Sequence, residues 1–168
     1  MDRITFWTLI NNTRRKSKDS REHVSNLVRT LTGLDISEIT SFEKNLSELL
    51  QESYSADLWN VVYIIEGGCG NDGFDYFRGW LILQGEDFFY TILKIPSKLP
   101  DLRRPDDTMS CESLLGAAKE AYKAKTGDWK MPYDCPTGPG KLNGVLLRED
   151  DDLKGKYPEI WKKYVEKC

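Results

Sequence analysis

The sequence predicts an all-α protein, and three observations carry that reading. Apolar residues recur at spacings of three and four along most of the chain, which gathers them on one face of a 3.6-residue helix. Capping residues (Asp2, Asp35 or Ser37, Ser55, Ser110) precede these stripes, and Gly33, Gly67 and Gly127 follow them, the order in which helices start and stop. Prolines fall between the stripes or at the head of one, not inside them. At 168 residues the chain is long enough to bury one core without a metal or disulfide. No internal repeat is visible, so residues 1–168 read as one compact multi-helix domain.

The first stripe is Ile4, Trp7 and Ile10, widened by Phe6 and Leu9, with Asp2 as cap. Residues 14–21 form a charged connector. Val24, Leu27, Val28 and Leu31 make a second stripe ending at Gly33, with His23 at its edge, expected at the surface or boundary. Asp35 or Ser37 opens a third, with Ile39, Phe42, Leu46, Leu49 and Leu50 on one face. Residues 56–66 are apolar nearly all round, and the β-branched run within them suits a buried strand as well as a helix. The capping oxygens of Ser55 and Asp57 and the terminator Gly67 favour a central helix.

From Asp72 as cap, Phe74, Phe77, Trp80, Leu81, Phe88 and Ile92 predict a long buried helix relaxed or broken at Gly85. Pro96 and Pro100 end it, and Pro105 keeps the next connector extended. Ser110 caps an alanine-rich helix closed by Gly127. Residues 131–156 read as an irregular, Pro/Gly-rich wrap, before a C-terminal helix over 157–168. Pro158 opens that helix, with Ile160, Trp161, Tyr164 and Val165 facing inward.

Composition bounds the function. Lys and Arg total 24 against 27 Asp and Glu, a net charge of −3, without the basic footprint of a general nucleic-acid binder. One histidine excludes multi-histidine metal sites, and the four cysteines form no Cys-x-x-Cys pair, so neither a metal nor a cofactor is expected. Cys69, beside a helix start, is the one thiol placed for a lowered pKa, although no histidine base lies near it in sequence. No run of about 20 apolar residues suggests a membrane span, and the opening residues lack a secretory pattern; the expected location is the cytoplasm.

The segment richest in chemistry runs from Gly67 to Leu81. On a helix Asp75 and Arg78 lie roughly 60° apart, so a carboxylate and a guanidinium share one narrow sector of a buried element. Two readings follow. Asp72 caps the helix and Asp75 and Arg78 form a structural i, i+3 pair; or Asp72, Asp75 and Arg78 line a ligand-binding notch with Trp59 and Trp80 as walls. The glycines form no nucleotide motif, lacking both the Gly-Lys-Ser/Thr ending and Gly-x-Gly-x-x-Gly. No catalytic residue is assigned. The acidic run Glu149 to Asp152 lacks the alternation of a calcium loop and reads as a solvated patch able to meet a basic partner.

The block Asp72-Gly73-Phe74-Asp75-Tyr76-Phe77-Arg78-Gly79-Trp80-Leu81-Ile82 resembles a bacterial family of uncharacterised domains, DUF4240. The opening Phe6-Trp7-Thr8-Leu9-Ile10, then Cys111-Glu112-Ser113-Leu114-Leu115, Ala121-Tyr122 and Asp150-Asp151-Asp152-Leu153 with Pro158 and Trp161, are similar to its other landmarks. The resemblance implies a bacterial cytoplasmic protein and a compact helical domain, and supplies no activity, ligand or catalytic residue. The expected function is therefore a non-catalytic protein-interaction module, in concrete form an immunity protein that neutralises a toxin or effector. The alternative is a small-ligand binder or enzyme built on the Asp/Arg notch.

Overall fold

Ten α-helices and two 3-10 turns make up the regular structure of this computed structural model, which describes residues 1–102, 108–132 and 140–166. In chain order they are α1 (Arg3–Arg14), α2 (Ser20–Thr32), α3 (Ile36–Glu52), α4 (Ala56–Glu66), α5 (Asn71–Leu83), α6 (Glu86–Lys94), a 3-10 turn (Pro96–Lys98), α7 (Leu99–Leu102), a second 3-10 turn (Glu112–Gly116), α8 (Ala117–Thr126), α9 (Asp150–Lys156) and α10 (Pro158–Tyr164). Among the described residues the sole β feature is an isolated parallel bridge between Ser55 and Asn143. The all-α reading holds. No helix among the described residues is long and apolar enough to cross a membrane.

The helix ends follow the expected chemistry in several places. Asp2 accepts the Thr5 N–H at 2.7 Å, and Ser55 accepts that of Leu58 at 3.2 Å. Gly67 and Gly127 stop α4 and α8 in the left-handed conformation. Residues 56–66 are helical, which resolves the strand alternative; their apolar girth reflects burial of Leu58, Val61, Val62 and Ile64 in the shared core. Phe6 stacks on Phe42 at 4.8 Å and Trp7 meets Phe89 at 5.5 Å, so α1 holds α3 and α6 together.

Other expectations are corrected. Ile4 is 77% exposed, because the buried arc of α1 is Phe6, Trp7, Ile10 and Thr13 and Ile4 lies roughly 130° from its centre. His23 is buried, not at the surface. Asp35 sits at the start of α3 without a side-chain cap bond. Gly70, not Asp72, is the N-cap of α5. The break expected at Gly85 is present: α5 and α6 are separate helices, parted there at φ 93°. There a side chain would collide with Asn11, since a Cβ would stand 2.6 Å from its Oδ1.

Ser110 does not cap α8, which grows instead from the 3-10 turn before it. Within the supposed irregular wrap, residues 150–156 form α9, since three aspartates at its head and Lys154 and Lys156 at its tail suit the helix dipole. In α10, which Pro158 does open, Ile160 is buried, Trp161 and Tyr164 are half-buried and Val165 is exposed. The expectation for Pro105, and those parts of the 131–156 wrap and the 157–168 helix that cover residues 133–139 and 167–168, lie outside the described residues.

The C-terminal elements are tied to α4. Ala56 N–H donates to the Asn143 carbonyl at 2.8 Å and Asn143 N–H to the Tyr54 carbonyl at 3.1 Å. Asn60, 1% exposed in an otherwise apolar stretch, accepts the Leu147 N–H at 3.1 Å. Leu153 and Ile160 complete the same core.

Candidate functional site

Asp75 and Arg78 do meet. Arg78 is 2% exposed and donates through Nη2 to Asp75 Oδ1, while the Asp75 side chain stays 40% exposed. Its Nη1 donates to the carbonyl of Leu50 at the end of α3. The guanidinium lies 4.8 Å from the Tyr54 ring centroid and 5.2 Å from that of Phe74, a cation–π cage. Burial pulls the Arg78 pKa below its ordinary value and the Asp75 carboxylate pulls it back; arginine remains a cation throughout.

The other three residues divide. Trp59 stacks on Phe74 at 4.5 Å and donates its indole N–H to the Cys69 carbonyl at 2.9 Å, so it backs the arginine cage by one ring. Trp80 lies deeper, against Phe77 and Phe88. Asp72 is exposed on the first turn of α5 and takes no part in the Arg78 pair. Arg78 and Trp59 thus flank Phe74, with Asp75 tied to Arg78, while Asp72 and Trp80 stand apart. The Cys69 thiol is pushed up to about 11, first by burial and then by Glu66, the reverse of the lowering its helix-start position suggested.

The concave surface is elsewhere. A cleft of about 620 Å³ opens between the α1–α2 turn, the end of α5 and the segment entering the second 3-10 turn. Arg14, Lys18 and Arg21 supply positive charge, Asp19 one carboxylate, and Ser17, Ser20, Thr108 and Ser110 hydroxyls. Arg14 is held at the wall by donating to the backbone carbonyl of Gln84, which the end of α5 leaves without a helical partner. Behind it His23 Nε2 lies 3.0 Å from both the Ile10 carbonyl and Thr13 Oγ1. Burial and the Arg14 charge bring the His23 pKa down to about 4, so the ring is neutral near pH 7.

A second, shallower cleft beside α2 shares Lys18, Asp19 and Arg21 and adds Arg29. Sequence reading took residues 14–21 as a mere connector. A charge window would have flagged them, since residues 14–29 hold six cations (Arg14, Arg15, Lys16, Lys18, Arg21, Arg29) against two acids (Asp19, Glu22) in a chain of net charge −3.

The acidic run is exposed throughout, at the head of α9. Among the described residues no group of three or more His, Cys, Asp or Glu side chains is arranged to hold a metal ion.

Compared with known proteins, residues 1–124 match the sequence model of a family described as "Protein of unknown function (DUF4240)". That span runs from α1 into α8 and leaves α9 and α10 outside it. No curated protein and no solved structure matches the chain.

Proposed function

The chain belongs to the DUF4240 family, and beyond what that family supplies we propose that it is a non-catalytic protein-interaction domain whose contact surface includes the acidic head of α9, outside the matched span. One observation carries the reading. Glu149, Asp150, Asp151 and Asp152 are all exposed, yet the two lysines of the same helix are engaged elsewhere. Lys154 pairs with Glu166 at 2.8 Å, and Lys156 with Asp57. One or two acids suffice to complement a helix N-terminus. Four in succession repel one another and project a negative field that a basic protein surface would complement.

In its concrete form the partner is a toxin or effector whose basic active-site surface this domain covers in the cytoplasm. A ligand site on Asp75 and Arg78 has less support, because both terminal guanidinium nitrogens already have protein partners.

The test is affinity capture of the tagged full chain from its own host, beside a variant carrying D150N, D151N and D152N, both read by mass spectrometry. One stoichiometric basic partner, held by the wild type and lost by the variant, is the expected result. No partner, or equal retention by both, would overturn the proposal. The toxin-neutralising form further requires that co-expression protect cells from a toxin encoded beside this gene.

A further inference from the structure

We propose that the cleft lined by Arg14, Lys18, Arg21, Ser20, Thr108 and Ser110 is a binding site for a small phosphate monoester. The argument rests on the uncommitted donors of Lys18, Arg21, Ser20, Thr108 and Ser110 around a cavity of suitable size, with Arg14, already bonded to Gln84, as part of its wall. The start of α2 is closed by its own residues: Asp19 accepts the Glu22 N–H at 2.8 Å, and Glu22 accepts the Lys18 N–H at 2.7 Å. Both carboxylates near the cleft are therefore occupied by backbone donors. The Lys18 ammonium and the Arg21 guanidinium have no hydrogen-bond or ion-pair partner among the described residues. The hydroxyls of Ser20, Thr108 and Ser110 likewise make no hydrogen bond there, whereas Ser17 spends its hydroxyl on the Thr13 carbonyl at 2.7 Å.

Among the described residues Lys18 and Arg21 bring two cations without partners to a cleft whose carboxylates, Asp19 and the neighbouring Glu22, are already hydrogen-bonded to backbone, a lining that favours a phosphate oxyanion. Guanidinium, ammonium and hydroxyl donors arriving from two segments, residues 14–21 and 108–110, suit a tetrahedral oxyanion. A volume of about 620 Å³ also exceeds what a bare phosphate fills; it lies within the range of small-molecule sites. The body of the ligand would rest against Leu83 and Gln84 at the end of α5. This site is independent of the acidic head of α9.

The experiment follows backbone amide shifts of the full chain by NMR during titration with inorganic phosphate, glucose 6-phosphate or a phosphoserine peptide, at constant ionic strength. The expected result is saturable perturbation confined to residues 17–23, 83–84 and 108–110, with the sugar phosphate binding more tightly than phosphate. The double variant Lys18→Ala/Arg21→Ala, both positions exposed, should weaken binding tenfold or more while leaving distant amides in place. Non-saturable shifts, or equal binding by the variant, overturn the site. Preference for the phosphopeptide over the sugar phosphate overturns the small-molecule assignment and moves the phosphate onto a partner protein.

Discussion

Arg78 and Asp75 form an ion pair that runs from core to surface, the guanidinium 2% exposed and the carboxylate 40%. The two ends therefore differ in what their loss would do. Arg78→Ala removes a large buried side chain from between Tyr54 and Phe74 and leaves the Leu50 carbonyl with only the Ser53 hydroxyl, at 3.2 Å. The expected cost is about 3–5 kcal/mol. Asp75→Asn keeps an acceptor at a half-exposed position and should cost about 1 kcal/mol. Urea unfolding of the two variants checks this, and similar losses for both would mean that the ion pair, not the cage around Arg78, carries the stability.

Gly79 is the next sensitive point on α5. A Cβ there would stand 2.7 Å from the Cys111 carbonyl oxygen, which is backbone and is held close by the Cys111 N–H donating to Tyr76 at 2.9 Å. In a free helix Gly→Ala stabilises by about 1 kcal/mol. Here the collision outweighs that gain, and Gly79→Ala should lose about 1–3 kcal/mol. A rise in the unfolding midpoint would show that residues 109–111 can move away without cost.

Asn60 is the corresponding point for the C-terminal segment. Asn60→Ala leaves the Leu147 N–H without its acceptor and opens space in the core, for an expected loss of about 2 kcal/mol. The effect should be local first. Amide exchange at residues 143–147 should accelerate before that of α1 or α3, a pattern that hydrogen-exchange mass spectrometry reads directly. Uniform acceleration would mean that the C-terminal elements and the rest of the domain open as one unit.

These residues also mark where sequence reading succeeds and where it stops. The helices α1 to α6 were legible chiefly from their apolar stripes, with side-chain caps as expected at Asp2 and Ser55, and the Asp75–Arg78 pairing because an i, i+3 spacing fixes it locally. Asn60 was not legible, since one polar residue in an apolar run does not announce a partner 87 residues away. His23 was misplaced for a related reason: its partners, Ile10 and Thr13, come from another helix. The cleft depends on residues 14–21, 83–84 and 108–110 converging, and no sequence period encodes that convergence. At Cys69 burial and the neighbouring Glu66 outweigh the helix start, and neither is visible in local sequence.

His23 makes the fold acid-sensitive in a defined window. Its pKa falls from 6.5 to about 4 on folding, chiefly by burial, with Arg14 adding to the fall and the Ile10 carbonyl opposing it. The unfolded chain therefore takes up a proton at pH values where the folded chain does not. The stability tied to the neutral ring is complete above about pH 6.5 and drains away as pH falls toward 4.

Glu43 acts in the opposite sense. Its pKa is raised above 4.5 by burial, so its contribution is present below that value and lost as pH rises through the raised one. Asp57, lowered by Lys156, matters only below its ordinary 3.8. Between pH 7.5 and 5 the histidine should dominate, at up to about 2 kcal/mol. Urea midpoints at the two pH values should show that loss in the wild type and a flatter profile in His23→Gln. An unchanged slope in the variant would place the acid sensitivity on another group.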